Sequence, residues 1–123
     1  MKASVRHINA NSEFRIPEGC HIIELSNSDD DPMVSIARAR IEPGVTTRWH
    51  SLQDTSERYV ILEGCGEVTL GNLPARQVAA GDAVLIPADC PQRIANIGSG
   101  DLVFLAICSP RFRPENYRDL EQE

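Results

Sequence analysis

Residues 43–64 read PGVTTRWHSLQDTSERYVILEG, and this stretch decides the fold. Pro43-Gly44 is a turn pair, and Gly64 marks a second turn. Between them the spacing predicts two strands, over Thr46–Ser51 and Glu57–Leu62. Alternation sets their faces: Thr46, Arg48 and His50 share one side, with Trp49 on the other. Glu57, Tyr59 and Ile61 share a face of the second strand. Residues 81–96, GDAVLIPADCPQRIAN, follow the same grammar. Gly81 turns the chain, Ala83–Ile86 runs as a strand, and Pro87 ends it where no ladder donor is needed. Gln92–Ile97 follows as a strand with Gln92, Ile94 and Asn96 on one side.

The flanks read the same way. Short runs rich in Val, Ile and Leu cover Cys20–Leu25, Met33–Ile41, Glu67–Leu70, Ala75–Val78 and Leu102–Cys108. In Met33–Ile41, Ala37, Ala39 and Ile41 alternate with Arg38 and Arg40, the period of a half-buried strand. Turn residues recur every ten residues or so, which points to a sandwich or a barrel. Asn27–Asp31 (NSDDD) is expected as an exposed loop and lacks the spacing of a calcium-binding loop. Pro114–Glu123 reads as a short C-terminal helix with Pro114 in its first turn.

The chain has 123 residues, 41% hydrophobic and 24% charged, which suits one globular domain. Its formal net charge of -6 argues against nucleic acid and against an anionic membrane surface as partners. No apolar run is long enough to span a bilayer, and residues 1–9 lack a signal-peptide core, so a cytoplasmic location is expected. Cys20, Cys65, Cys90 and Cys108 form no CxxC pair and are expected as buried or half-buried thiols rather than zinc ligands. His7 and His21 lie outside the two central stretches and are expected at the surface. No phosphate-cradling glycine loop is present, so no nucleotide cofactor is expected.

The intervals Gly44-x5-His50, Glu57-x6-Gly64, Gly81-x5-Pro87 and then Asp89, Gln92 and Asn96 resemble the two motifs of the cupin family. Those motifs are G-x5-H-x-H-x3,4-E-x6-G and G-x5-P-x-G-x2-H-x3-N. The resemblance implies one domain over residues 1–123, with the first motif at about 44–64 and the second at about 81–96. It implies an all-β double-stranded β-helix, or jelly-roll barrel, with a small molecule in its mouth. It also suggests a homodimer.

In the family, three histidines and the glutamate hold one divalent metal. Here Leu52 stands at the second histidine position and Gln92 at the last. His50, Glu57 and Gln92 are therefore the candidate metal ligands, a weak and hard-leaning set whose metal is not identified. The alternative is a polar floor that touches a ligand directly. The candidate catalytic residues are His50, as ligand or base; Glu57, as ligand or acid–base partner; Arg48, which with Gln92 would orient the substrate; and Tyr59, which either gives its hydroxyl to a ligand or fills the core. An inward Arg48 is expected to meet Glu57 or an anionic ligand.

Two functions follow from the resemblance. One is a metal-assisted enzyme on a small oxygen-rich or anionic metabolite, of dioxygenase, isomerase or lyase type. The other is a non-catalytic binding or sensor module for a sugar acid or carboxylate, with little or no metal.

Overall fold

The structure, a computed structural model, describes residues 1–121. Its strands are β1 (Phe14–Arg15), β2 (His21–Ser26), β3 (Ser35–Ile41), β4 (His50–Leu52), β5 (Ser56–Glu63), β6 (Cys65–Leu70), β7 (Arg76–Ala79), β8 (Ala83–Ile86), β9 (Gln92–Asn96), β10 (Leu102–Ser109) and β11 (Tyr117–Asp119). They form two sheets. The larger runs β1-β2-β3-β10-β5-β8 and the smaller β11-β4-β9-β6-β7. Between them lie the apolar inward residues, among them Ile41, Ile61, Ile94, Leu102 and Phe104. Each such side chain removed from water contributes roughly 1.5–3 kcal/mol.

Two expectations need correction. The all-β assignment holds, but the expected barrel does not: neither sheet closes on itself. The larger ends at β1 and β8, the smaller at β11 and β7. These edge strands are two to four residues long, and a short edge ends a sheet without exposing a long unpaired ladder. The molecule is a two-sheet sandwich.

The expected helix at Pro114–Glu123 is also absent. Pro114–Asn116 makes a single 3-10 turn, and Tyr117–Asp119 then pairs with β4, Tyr117 opposite Leu52 and Asp119 opposite His50. A weak helical pattern loses here to the unpaired edge of β4, which offers backbone partners and an inward place for the tyrosine ring. Residues 122 and 123 of the expected helix lie outside the described residues.

The two motif stretches are tied by Asn96. Its side-chain amide donates to the carbonyls of Ile41 and Gly100, at 2.8 Å each, and its Oδ1 accepts from Gly98 N at 2.9 Å. Its backbone carbonyl accepts from Gly44 N. Gly64 has φ +87, and a Cβ there would lie 2.5 Å from the carbonyl oxygen of Asp101, so this hairpin needs glycine. Asp89, at a glycine position of the second motif, has φ 65. Aspartate tolerates this left-handed geometry, and its Oδ1 accepts from Asp54 N.

The strand carrying His50 is shorter than expected. Thr46 makes only an isolated bridge to Ala95, and regular pairing starts at His50. Buried Thr47 accepts a hydrogen bond from Ile94 N through Oγ1. The chain bends between Thr47 and His50, so alternation does not carry through it.

Candidate functional site

His50, Tyr59, Glu57 and Gln92 all lie between the sheets. His50 and Gln92 are opposite each other on β4 and β9, while Glu57 and Tyr59 are two apart on β5. His50 is 2% exposed, Glu57 8%, Gln92 1% and Tyr59 3%. Three separate strands thus deliver one buried polar group, as the inward faces of alternating strands must.

Both ring nitrogens of His50 are engaged. Nδ1 lies 2.6 Å from the Arg48 carbonyl, which can only accept, so Nδ1 carries a proton. Nε2 lies 2.9 Å from Glu18 Oε1. Burial works against a charged ring, but the Glu18 carboxylate, the Arg48 carbonyl and Glu57 outweigh it, and the His50 pKa is raised. Tyr117 stacks on the imidazole with ring centroids 5.1 Å apart.

Glu57 is the second polar centre. Its Oε2 faces the Cys108 thiol at 3.7 Å, and its Oε1 has no hydrogen-bond partner among the described residues. Burial first, and then the negative charge of Glu18, push its pKa up to about 7. His50, the Gln92 amide and the Cys108 thiol offset part of the rise. A carboxyl group in this state can gain or lose a proton near neutrality. Tyr59 donates its hydroxyl to Gln92 Oε1 at 2.6 Å and packs its ring on Phe104. Burial drives its pKa well above the ordinary range, so it stays a neutral donor. Burial likewise keeps Cys20 and Cys108 as thiols. Cys65 departs from the expectation of a buried or half-buried thiol and is exposed.

Arg48 does not join this group. The bend before β4 turns it to the outside, where its Nε meets Asp119 Oδ2 at 2.9 Å. There it lines an outer groove with Thr46, Glu67, Thr69 and Arg93. Trp49 lies beside Arg93, whose guanidinium sits 5.6 Å from the ring centroid. His21 pairs with Glu42 on the outer surface.

Glu18 and Tyr117 are members of the site that the sequence pattern did not expose. Glu18 sits in a turn between Pro17 and Gly19, where Gly19 adopts φ +107. Its carbonyl accepts from Arg48 N, which fixes the turn against the approach to β4. The Pro-Glu-Gly triplet signals a turn, but nothing local points its carboxylate at a residue 32 positions on. Tyr117 falls in the stretch whose pattern suggests a helix. With Glu18 14% exposed on its side chain and Tyr117 half-buried, these two form the rim of the site nearest solvent.

The donor set does not fit a tightly held divalent metal. His50 Nε2 is directed at Glu18, Gln92 Oε1 is taken up by Tyr59, and the second histidine position is the buried, apolar Leu52. Among the described residues no three His, Cys, Asp or Glu side chains are placed to share one ion. The side chains bond to one another rather than to a common centre.

A two-sheet all-β frame with a buried polar group contributed by both motif stretches defines a cupin-like architecture. The chain belongs to the cupin family: the cupin domain matches residues 37–108. An uncharacterized protein of Methanocaldococcus jannaschii is 37% identical over 87 residues, covering 71% of this chain and 69% of that one. Among solved structures, KdgF from Halomonas sp. superposes with a TM-score of 0.77 at 16% identity, over 89% of this chain and 96% of that one. The nucleoside dehydratase Pac13 superposes with a TM-score of 0.76 at 18% identity, over 96% and 92%. A Streptomyces form of that protein has been solved with uridine. At these identities the structural likeness is one of fold. No helix among the described residues is long and apolar enough to cross a membrane.

Proposed function

We propose that this cupin binds a small hydroxylated molecule between its sheets and moves a proton on it. The observation that carries the reading is Glu57, buried, with a pKa of about 7 and one oxygen left without a partner. An unpaired buried carboxyl oxygen is costly, by about 1–3 kcal/mol or more, unless a ligand meets it. Glu57 is the acid–base group. His50, oriented by the Arg48 carbonyl and Glu18, stabilises charge that develops beside it. Tyr59 holds Gln92, and Gln92 in turn holds Glu57. No step runs through a metal, because the donors are already paired with one another.

A non-catalytic binding module is the second reading. The interlocked hydrogen bonds of His50, Tyr59 and Gln92 favour it, since a floor held in place on its own partners suits recognition without turnover. Assembly as a cytoplasmic homodimer belongs to either reading, and a monomeric mass at micromolar protein would count against it.

The test screens neutral and charged hydroxylated metabolites by thermal shift, then follows the stabilising compounds by NMR for chemical change. Stabilisation lost in Glu57→Gln, with turnover peaking near neutral pH, supports the acid–base reading. Stabilisation without turnover moves the protein to the second reading. Ligands that bind equally well in Glu57→Gln and His50→Ala defeat both.

A further inference from the structure

The charges around the site restrict what can enter it. The chain has 12 lysines and arginines, and none is buried. Three of the half-buried arginines have acidic or amide partners elsewhere: Arg48 with Asp119, Arg40 with Glu13 and Asp101, Arg111 with Asn27 and Asp29. The groups of this site that carry charge are Glu18, Glu57 and His50, since burial keeps Tyr59, Cys20 and Cys108 neutral, and the imidazole is already matched by Glu18 at 2.9 Å. A carboxylate or phosphate placed there would join two carboxyl groups with no buried lysine or arginine among the described residues to meet it.

The hydrogen-bonding inventory points the same way. The unpartnered polar atom in the site is Glu57 Oε1, which accepts when the carboxyl is ionised. Tyr59 spends its hydroxyl on Gln92. His50 spends both nitrogens on Arg48 and Glu18. The donors of His50 and Tyr59 are taken and an acceptor, Glu57 Oε1, is left over, so the partner it calls for is a donor.

We infer that the ligand of this site is an uncharged or cationic hydrogen-bond donor, of the polyol or sugar class, and not a carboxylate or phosphate. This rests on the reading that places the ligand at Glu57, and it narrows the oxygen-rich or anionic metabolite expected from the sequence to its non-anionic half.

The test uses the intact protein and matched probes: glycerol against glycerate, and D-glucose and D-glucosamine against D-glucuronate. Binding is read from the His50 imidazole resonances, which report on the site whether or not a reaction occurs. The expected result is that the neutral or amino member of each set binds at least about tenfold more tightly than its acid. Glu57→Gln, which removes one carboxyl without changing shape, then narrows that gap. Tighter binding of the acids would overturn the inference and leave the acid–base reading standing. Failure of every probe to move the His50 resonances in a folded protein would remove the site itself, and both proposals with it.

Discussion

Glu18 Oε1 lies 2.9 Å from His50 Nε2, and the other nitrogen of the same ring faces the Arg48 carbonyl at 2.6 Å. A turn near the N-terminus thereby controls the protonation of a residue on β4. Replacing Glu18 by Gln removes the charge that raises the His50 pKa, while burial, which opposes the charged ring, remains. The expected outcome is a lower His50 pKa by NMR titration and a loss of about 1–3 kcal/mol of stability at pH 6. An unchanged titration would show that the pair does not govern the ring.

Stability depends on pH with a definite sign. The pKa of Glu57 rises from its ordinary 4.5 to about 7 on folding. Between these values the folded chain holds more protons than the unfolded chain, so stability falls as pH rises. At about 1.4 kcal/mol per unit, the fall is roughly 3 kcal/mol. His50 adds to it: its raised pKa contributes stability that is complete below its ordinary value and lost as pH climbs through the folded value. Urea denaturation from pH 4.5 to 8 should show a continuous decline. Glu57→Gln should flatten the part below pH 7 and leave the His50 part above. A wild-type profile that rises across this range would contradict the assignment.

Protein purified without added metal is expected to carry well under one equivalent of divalent ion, because the donors of His50 and Gln92 are bonded to Glu18 and Tyr59. Elemental analysis of wild type beside His50→Ala decides this. One equivalent in the wild type that disappears in the variant would show that these bonds give way to a metal.

Asn96 makes three side-chain hydrogen bonds from a buried position. Asn96→Ala leaves the carbonyls of Ile41 and Gly100 without that donor, and should destabilise the fold by roughly 2–4 kcal/mol. A variant as stable as wild type would mean that water replaces the side chain at no cost.

Tyr117 covers the His50 ring at 5.1 Å from a three-residue strand. Tyr117→Ala should cost about 1–2 kcal/mol and speed the exchange of the His50 ring protons with solvent, seen by NMR. Tyr117→Phe keeps the stack and should restore both. If the alanine variant exchanges no faster, the rim lies elsewhere.

Much of the frame was legible in local pattern. Turn residues and the Val-, Ile- and Leu-rich runs between them, with the two-residue period in Met33–Ile41, placed β3, β5, β8, β9 and β10 within a residue or two of their observed bounds. The same period turned Glu57, Tyr59, Gln92 and Asn96 inward as read. The inference failed where alternation was extended across irregular backbone: Arg48, carried inward with His50 on paper, is turned out by the bend at residues 47–49 and pairs with Asp119.

The amino-acid sequence by itself determined most of the strands, the glycine turns and the inward faces of Glu57, Tyr59, Gln92 and Asn96, because each follows from steric and hydrophobic preferences within a few neighbours. Only the tertiary structure decided that Glu18 meets His50, that Tyr117 leaves a helical pattern to roof it, and that the sheets stay open. Those outcomes depend on contacts between segments 32 to 67 residues apart, whose free energies no local window contains.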